Sequence, residues 1–509
     1  MTDADAQPTP DDPPSADPAE GPRIGSDEWV AREGERRARR GGVLGAARRG
    51  VERTPPFVQL AVFVGVVAMV PFISSSQYVV RVATDTTIYA VLAMGLNVAV
   101  GWAGLLDLGY IAYYGFAAYC FAMLSSSKFG VHWPTWGTIP TVLVLTIGLG
   151  FLLSLTSRRL TGDYLAIVTL FFGQIFVTFT TQGYRLSLFG IGGTHDITGG
   201  PTGITNIDPF RVFGHQLTQV RDYLWAALLA FVVAATALYL ANHSRTGRAW
   251  RALREDSLAA EVMSMPVNKM KMLAIAVGAG VAALAGSINA AYYQGVFPTS
   301  FDFPLLITIY AMVILGGAGS LTGVVVGAVI INVLLELLRT PEHARWVFYG
   351  VIIIALVAKV RPWRLFAAVV AGIAVFGVVA NQIVAAVWPR GTAGPVFVGG
   401  VQFTTSGWTA GILRHWLVLP ANTYTIPNYQ IGNYAFVLLI ALALTLTVVR
   451  GWARYVLLVP TIWLAAFVWE NRLVEESPTT RPLLLGAILI VLMTARPEGL
   501  LGTPRVEVV

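Results

Sequence analysis

The chain has 509 residues, of which 55% are apolar and only 12% are charged, and its mean hydropathy is strongly positive. A water-soluble globule of that composition would have too few polar side chains to cover its surface, which excludes a soluble fold. The formal net charge of +7 does not come from the polar start, because residues 1–56 hold 9 Arg and no Lys against 11 acidic residues. The positive charge belongs to the apolar body, so a nucleic-acid-binding basic arm is a poor reading and no nucleic-acid partner is expected. The single cysteine, Cys120, rules out an internal disulfide and a Cys-based zinc site.

Residues 1–56 are rich in Pro, Asp, Ala and Arg and nearly lack large aliphatic side chains. They read as a disordered, charged cytoplasmic tail. A short helix over Ser26–Arg53, with Glu33–Arg37 and Glu35–Arg39 at helical spacing, is the one element expected there. No signal-peptide pattern is present.

Apolar runs follow at 57–73, 79–101, 108–124, 138–157, 164–181, 223–242, 271–292, 303–317, 321–338, 345–360, 365–387, 433–449, 453–470 and 481–495. They predict an all-α, polytopic integral membrane protein of about 12–14 transmembrane helices. The runs 303–317 and 321–338 are short enough to form one re-entrant hairpin. With a cytoplasmic amino terminus and alternating spans, Lys and Arg are denser in the inner loops, among them Arg158-Arg159, 243–270 and Lys359/Arg361/Arg364. That orientation puts both termini on the cytoplasmic side of the membrane, with lipid around the spans.

Gly95, Gly101, Gly104, Gly109 and Gly115 crowd two neighbouring runs, with Asn97 and Asp107 among them. Glycine is costly inside a helix. Two readings stand: close helix packing, or a broken segment beside a translocation pathway. Gly316, Gly317 and Gly319 mark a second break of the same kind, a weak internal repeat. Thr198, Gly199, Gly200 and Gly203 in the long outer loop form a turn or a contact surface for an incoming partner. Asp85, Asn289, Asn332 and Glu336 lie in or near spans, where ionisable groups are functional candidates. The plainer reading pairs Asp85 with Arg81 one turn away, and Glu336 with Arg339.

One inner loop differs from the rest. Residues 243–270 carry Arg248, Arg251 and Glu255 on one helix face and an interrupted apolar stripe of Trp250, Leu253, Leu258, Val262 and Met265. Ser244 or Thr246 can cap its start, Asp256-Ser257 interrupts the pattern, and Pro266 ends it. Two short helices with a bend are expected, lying on the membrane surface or docking a cytoplasmic partner.

The run GRAWRALREDSLAAEVMSMPVNKMKMLAI (247–275) resembles the cytoplasmic coupling segment of permease subunits of branched-chain amino acid ABC importers. GLNVAVGWAGLLDLGYIAYYGFAAY (95–119), GDYLAIVTLFFGQI (162–175), TGGPTGI (198–204), AMVILGGAGSLTGVVVGAVI (311–330) and RPEGLLG (496–502) resemble further stretches of that family, in its order. The resemblance implies a transport subunit rather than an enzyme, paired with a second homologous permease and two cytoplasmic ATPases and fed by an extracytoplasmic substrate-binding protein. It implies a coupling segment that includes Gly247, Arg248, Arg251, Arg254, Glu255, Asp256, Ala259, Ala260 and Met265. No G-x-x-x-x-G-K-[ST] loop occurs, so no cofactor is expected on this chain, and ATP would be hydrolysed by the partner subunits. Urea or short amides are alternative cargoes. An ion-coupled carrier acting alone is the reading from another class, and it would leave 243–270 unexplained.

The chain departs from the family after 344–362, where the family's permeases usually end. A further stretch follows before TRPLLLGAILIVLMTARPEGLLG supplies a family-like ending, so the final span is either separated from the core by an insertion or duplicated. The expected division is a tail at 1–56, a permease core at 57–360, an extension at 361–480 with an outer loop at 388–432, and a final helix and cytoplasmic end at 481–509. That outer loop contains Trp388, Trp408, Trp416, Tyr424 and Tyr429, read as interface aromatics or a docking surface.

Overall fold

A computed structural model describes residues 54–157, 163–183, 196–212, 215–339, 341–360, 363–389, 392, 397–398, 401–402, 414–418, 428–449, 451–470, 486 and 499–501. The helix expected over Ser26–Arg53, the Arg158-Arg159 loop, Trp408, Tyr424 and the span 481–495, residue 486 apart, lie outside them. Two compact units divide the chain, Met1–Val62 and Phe63–Val509. The described part of the first is the opening of helix α1, Pro56–Ile73. All that follows concerns the second.

Its helices are α2 (Gln77–Asn97, prolonged by a π-turn over Val98–Trp102), α3 (Tyr110–Leu124), α4 (Thr135–Ser157), α5 (Asp163–Gln182) and α6 (Val220–His243). Two short helices come next, α7 (Arg245–Glu255) and α8 (Ser257–Val262), then α9 (Val267–Tyr293), α10 (Phe303–Gly316), α11 (Leu321–Leu337) and α12 (Pro341–Lys359). α13 (Trp363–Val387), α14 (Asn428–Val448) and α15 (Trp452–Val468) follow. Among the described residues, eight helices are long and apolar enough to cross a membrane and five more are apolar but shorter. The chain is thus an all-α, multi-pass membrane protein.

The sequence of α9 explains why it lies at the centre. Its Ala- and Gly-rich faces let four helices approach closely, as small residues do between membrane helices. A Cβ at Gly278 would lie 3.1 Å from the Gly95 carbonyl oxygen of α2, and one at Gly286 would lie 2.5 Å from the Tyr114 carbonyl oxygen of α3. On α4, a Cβ at Gly150 would come within 2.8 Å of Ala279. α6 joins through the Tyr223 hydroxyl, which donates to the Ala291 carbonyl at 3.0 Å.

The bundle has two distinct ends. At one, the chain caps itself with short strands: Ile204–Thr205 pairs antiparallel with Gly295–Val296, and the Ser125–His132 hairpin bridges to Ile207. At the other lie α7, α8, the turn after the π-turn and the α10–α11 turn. α10 and α11 pack on each other, and their turn reaches Asn97 and Trp102. The hairpin therefore runs the length of α2 instead of turning back midway.

The extension has a core of its own. Val369 and Ile373 of α13 pack with Leu356 and Val360 of α12, and Leu417, Ala435, Leu464 and Phe467 form a second cluster. Trp416, expected at an interface, instead packs inward. Its indole donates to the Ile373 carbonyl at 3.1 Å and fills the space beside Gly377. Asn381 ties the same segment down by donating to the carbonyls of Arg414 and Leu417 at 3.0 and 2.5 Å. The stacked rings of Phe348 and Trp469, 4.4 Å apart, join α12 to the end of α15.

Candidate functional site

The coupling stretch folds as two short helices meeting at Asp256. Ser244 caps α7, its hydroxyl accepting from the Gly247 amide at 3.4 Å. Gly247 is needed there, since a Cβ would collide with the Asn242 and Ala241 carbonyls that end α6. Asp256 begins α8, its carboxylate accepting from the Leu258 and Ala259 amides at 2.8 and 3.1 Å. The residue that breaks the first pattern is therefore the cap of the second helix. Pro266 does not end α8, which stops at Val262; it precedes α9.

The stripe expected along this stretch divides in two. Trp250 and Leu253 are buried with Gly247, and Ala260 is buried on α8. Leu258, Val262 and Met263 are instead 73%, 84% and 80% exposed. Arg248, Arg251, Glu255, Asp256 and Ala259 are exposed beside them, and Met265 is half-buried.

The buried side of α7 meets the first glycine-rich unit. The Trp250 and Trp102 rings stack with centroids 6.1 Å apart, and the Trp250 indole donates to the Met270 carbonyl at 2.9 Å. Arg254 turns inward rather than toward solvent, and its Nη1 donates to the Gly101 carbonyl at 2.6 Å. Gly104 has φ +68°, and a Cβ on it would lie 3.1 Å from Arg254 Cγ.

The second glycine-rich unit closes on the same place. The Gly319 amide donates to Asn97 Oδ1 at 2.8 Å, and the Trp102 indole donates to the Gly319 carbonyl at 3.0 Å. A side chain at Gly101 would press on the Gly319 amide. Gly317 and Gly319, with φ +108° and +97°, make the turn. Gly316 abuts Gly323 across the hairpin. Leu500 and Leu501 donate their amides to the Leu315 and Gly316 carbonyls, both at 2.9 Å. The chain's family-like ending thus returns to this turn.

The remaining predicted residues scatter. Asp107 is fully buried; one carboxylate oxygen accepts from the Gly109 amide at 3.0 Å, and the other has no hydrogen-bond partner among the described residues. Gly109 abuts Thr169 of α5, Gly115 abuts Phe176, and Gly95 abuts Tyr110. These glycines occupy close helix contacts. Thr198, Gly199, Gly200 and Gly203 form a tight turn at the far end, where the Thr198 hydroxyl accepts from the Gly200 amide and Asp196 from the Gly199 amide. Lys128, hydrogen-bonded to Asp196 at 2.8 Å, holds that carboxyl below its ordinary range.

Asp85 does not pair with Arg81. It accepts from the Tyr293 hydroxyl at 2.9 Å, while Arg81 pairs with Glu336 at 2.7 Å. Glu336 does meet Arg339, at 3.2 Å. Asn332 donates to Thr86 at 2.7 Å and cross-links α11 to α2; Asn289 is half-buried on α9. Sequence reasoning missed Tyr293 and Trp102. Nothing in a linear pattern pairs residues more than two hundred positions apart, although aromatic residues at span ends were a weak signal.

Comparison with known proteins decides the family. A family model described as branched-chain amino acid transport system / permease component matches residues 78–357. The chain belongs to that family. This permease is 34% identical over 313 residues to the high-affinity branched-chain amino acid transport system permease protein LivM of Escherichia coli, covering 57% of this chain and 69% of that protein. It is 28% identical over 121 residues to LivH of the same bacterium, covering 24% and 38%. The ribose import permease protein RbsC of Haemophilus influenzae is 24% identical over 314 residues, covering 59% of the permease and 90% of that protein. No solved structure matches it. The family range stops just before α13, so the extension lies outside it. Membership sets aside the ion-coupled carrier.

Proposed function

We propose that this permease is the membrane-spanning subunit of an ATP-driven importer that carries branched-chain or related amino acids across the cytoplasmic membrane. The observation that carries the reading is the exposed patch of Leu258, Val262 and Met263, flanked by Arg251 and Glu255, on the α7–α8 elbow. Exposed apolar side chains rimmed by charge mark an interaction surface, and the charges suit the orienting of a partner. In this reading the elbow sits in a cleft of a cytoplasmic ATPase, one of two that hydrolyse ATP. A second, homologous permease completes the pathway, and an extracytoplasmic binding protein delivers the amino acid to the strand-capped end. The elbow end and both termini are cytoplasmic, which the density of Lys and Arg there supports.

Movement of the ATPases reaches the spans through the buried side of the same elbow. Arg254 and Trp250 hold the end of α2, and Gly319 links α2 to the α10–α11 turn. Residues 57–360 act as the core and 361–480 as an inserted extension. The bonds from Leu500 and Leu501 to α10 support insertion rather than duplication.

The test is purification of the intact assembly followed by reconstitution. The expected result is co-purification with two ATPase subunits and a second permease, and L-leucine uptake that needs both ATP and the binding protein. A permease that takes up L-leucine alone, without nucleotide, overturns the reading.

A further inference from the structure

α2 carries a row of polar side chains along its more open face. Tyr78, Arg81, Asp85 and Tyr89 recur at helical spacing on one face, and all are exposed or half-buried. Further along α2, Ala90 to Asn97 are buried without a break. The row is thus reachable at the strand-capped end of α2 and shut off toward Asn97. Arg81 and Asp85 lie about 6 and 12 Å along the helix from its first residue, at 1.5 Å per residue. Ionisable groups at such positions in apolar spans face water or protein, not lipid.

From the end of α9 the Tyr293 hydroxyl donates to Asp85 Oδ1 at 2.9 Å. Arg81 spends its Nη2 on Glu336 at 2.7 Å, and Glu336 holds Arg339 as a second partner. Glu336 therefore keeps a cation if Arg81 swings away. One carboxylate and one guanidinium, a helical turn apart, match the two adjacent charges of an α-amino acid.

We infer that Arg81 and Asp85, at this end of α2, form a binding station for the zwitterionic head of the transported amino acid. The carboxylate of Asp85, oriented by Tyr293, accepts hydrogen bonds from the ammonium group. Arg81 takes the carboxylate as a planar, bidentate donor. The station reads the part common to all α-amino acids and leaves side-chain choice to other surfaces. This inference rests on the transport reading above.

The test uses the complete importer in liposomes with saturating binding protein and L-leucine as probe. Asp85→Asn is expected to cut the uptake rate at least tenfold, Asp85→Glu to restore it to within about threefold of the parent, and Tyr293→Phe to lose about threefold, with each complex purifying in the parent's yield. As a second arm, Asp85→Cys is expected to react with a membrane-impermeant thiol reagent from the binding-protein side. Parent uptake with Asp85→Asn within twofold of it overturns the inference alone, as does an Asp85→Cys thiol that stays unreactive. Absence of ATP-dependent L-leucine uptake by the parent overturns the transport reading and the inference with it.

Discussion

Arg254 of α7 donates to the backbone carbonyl of Gly101 at 2.6 Å. It joins the coupling elbow to the π-turn that ends α2, across 153 positions of sequence. A charged donor on a partly buried carbonyl is worth about 1.5–3 kcal/mol. Arg254→Ala is expected to leave the permease assembled with its ATPases but to lower uptake about tenfold or more, because the elbow then moves without α2. Uptake per ATP hydrolysed is the measurement. An unchanged ratio would mean that this bond transmits nothing.

The Trp102–Trp250 stack is the apolar half of the same joint. Both rings are nearly fully buried. Replacing either with Ala is expected to cost about 3–5 kcal/mol, read as a lowered thermal midpoint in detergent. The double variant should fall short of the sum by about 0.5–1.5 kcal/mol, the coupling of an aromatic pair.

Glycine substitutions separate close contact from open surface. Gly101→Ala would drive a methyl group onto the Gly319 amide and Asn97. Gly148→Ala on α4 meets nothing within 4 Å. The first is expected to lower the thermal midpoint and the uptake rate, and the second to leave both within experimental scatter. Equal effects at the two positions would contradict the packing described for the α2–α11 junction.

Asp256→Ala removes both capping bonds of α8, at a cost of about 0.5–2 kcal/mol for the cap. A helix of six residues has little else to hold it. Hydrogen exchange at the Ala259 and Ala260 amides should accelerate, and ATPase affinity should fall. Asp256→Asn, which keeps an acceptor, should recover most of both.

The order of the described apolar helices was legible in the sequence, because long apolar runs have few alternatives. The bend at Asp256 was legible too, as a break in helical period. What the break does was not, since an N-cap is told from an interruption only when the amides it caps are placed. Arg254 entered only as a member of the coupling segment, with no sign of which way it faces. The partner that turns it inward is a backbone carbonyl, which has no residue signature. Asp85 was assigned to Arg81 on spacing alone, and the chain-distant Tyr293 and Glu336 redistribute those bonds. The glycines of 95–115 left packing and pathway open, and only their neighbours, Tyr110, Gly319, Thr169 and Phe176, show what occupies the space beside them.

The central claim is that the exposed face of the α7–α8 elbow docks the ATPase. Its most direct test is the Leu258→Asp, Val262→Asp double variant, purified from membranes with tagged permease. The expected result is loss of at least nine-tenths of the co-purifying ATPase and of ATP-dependent uptake, while the second permease is retained. ATPase recovered in the parent's amount, with normal uptake, would contradict the account.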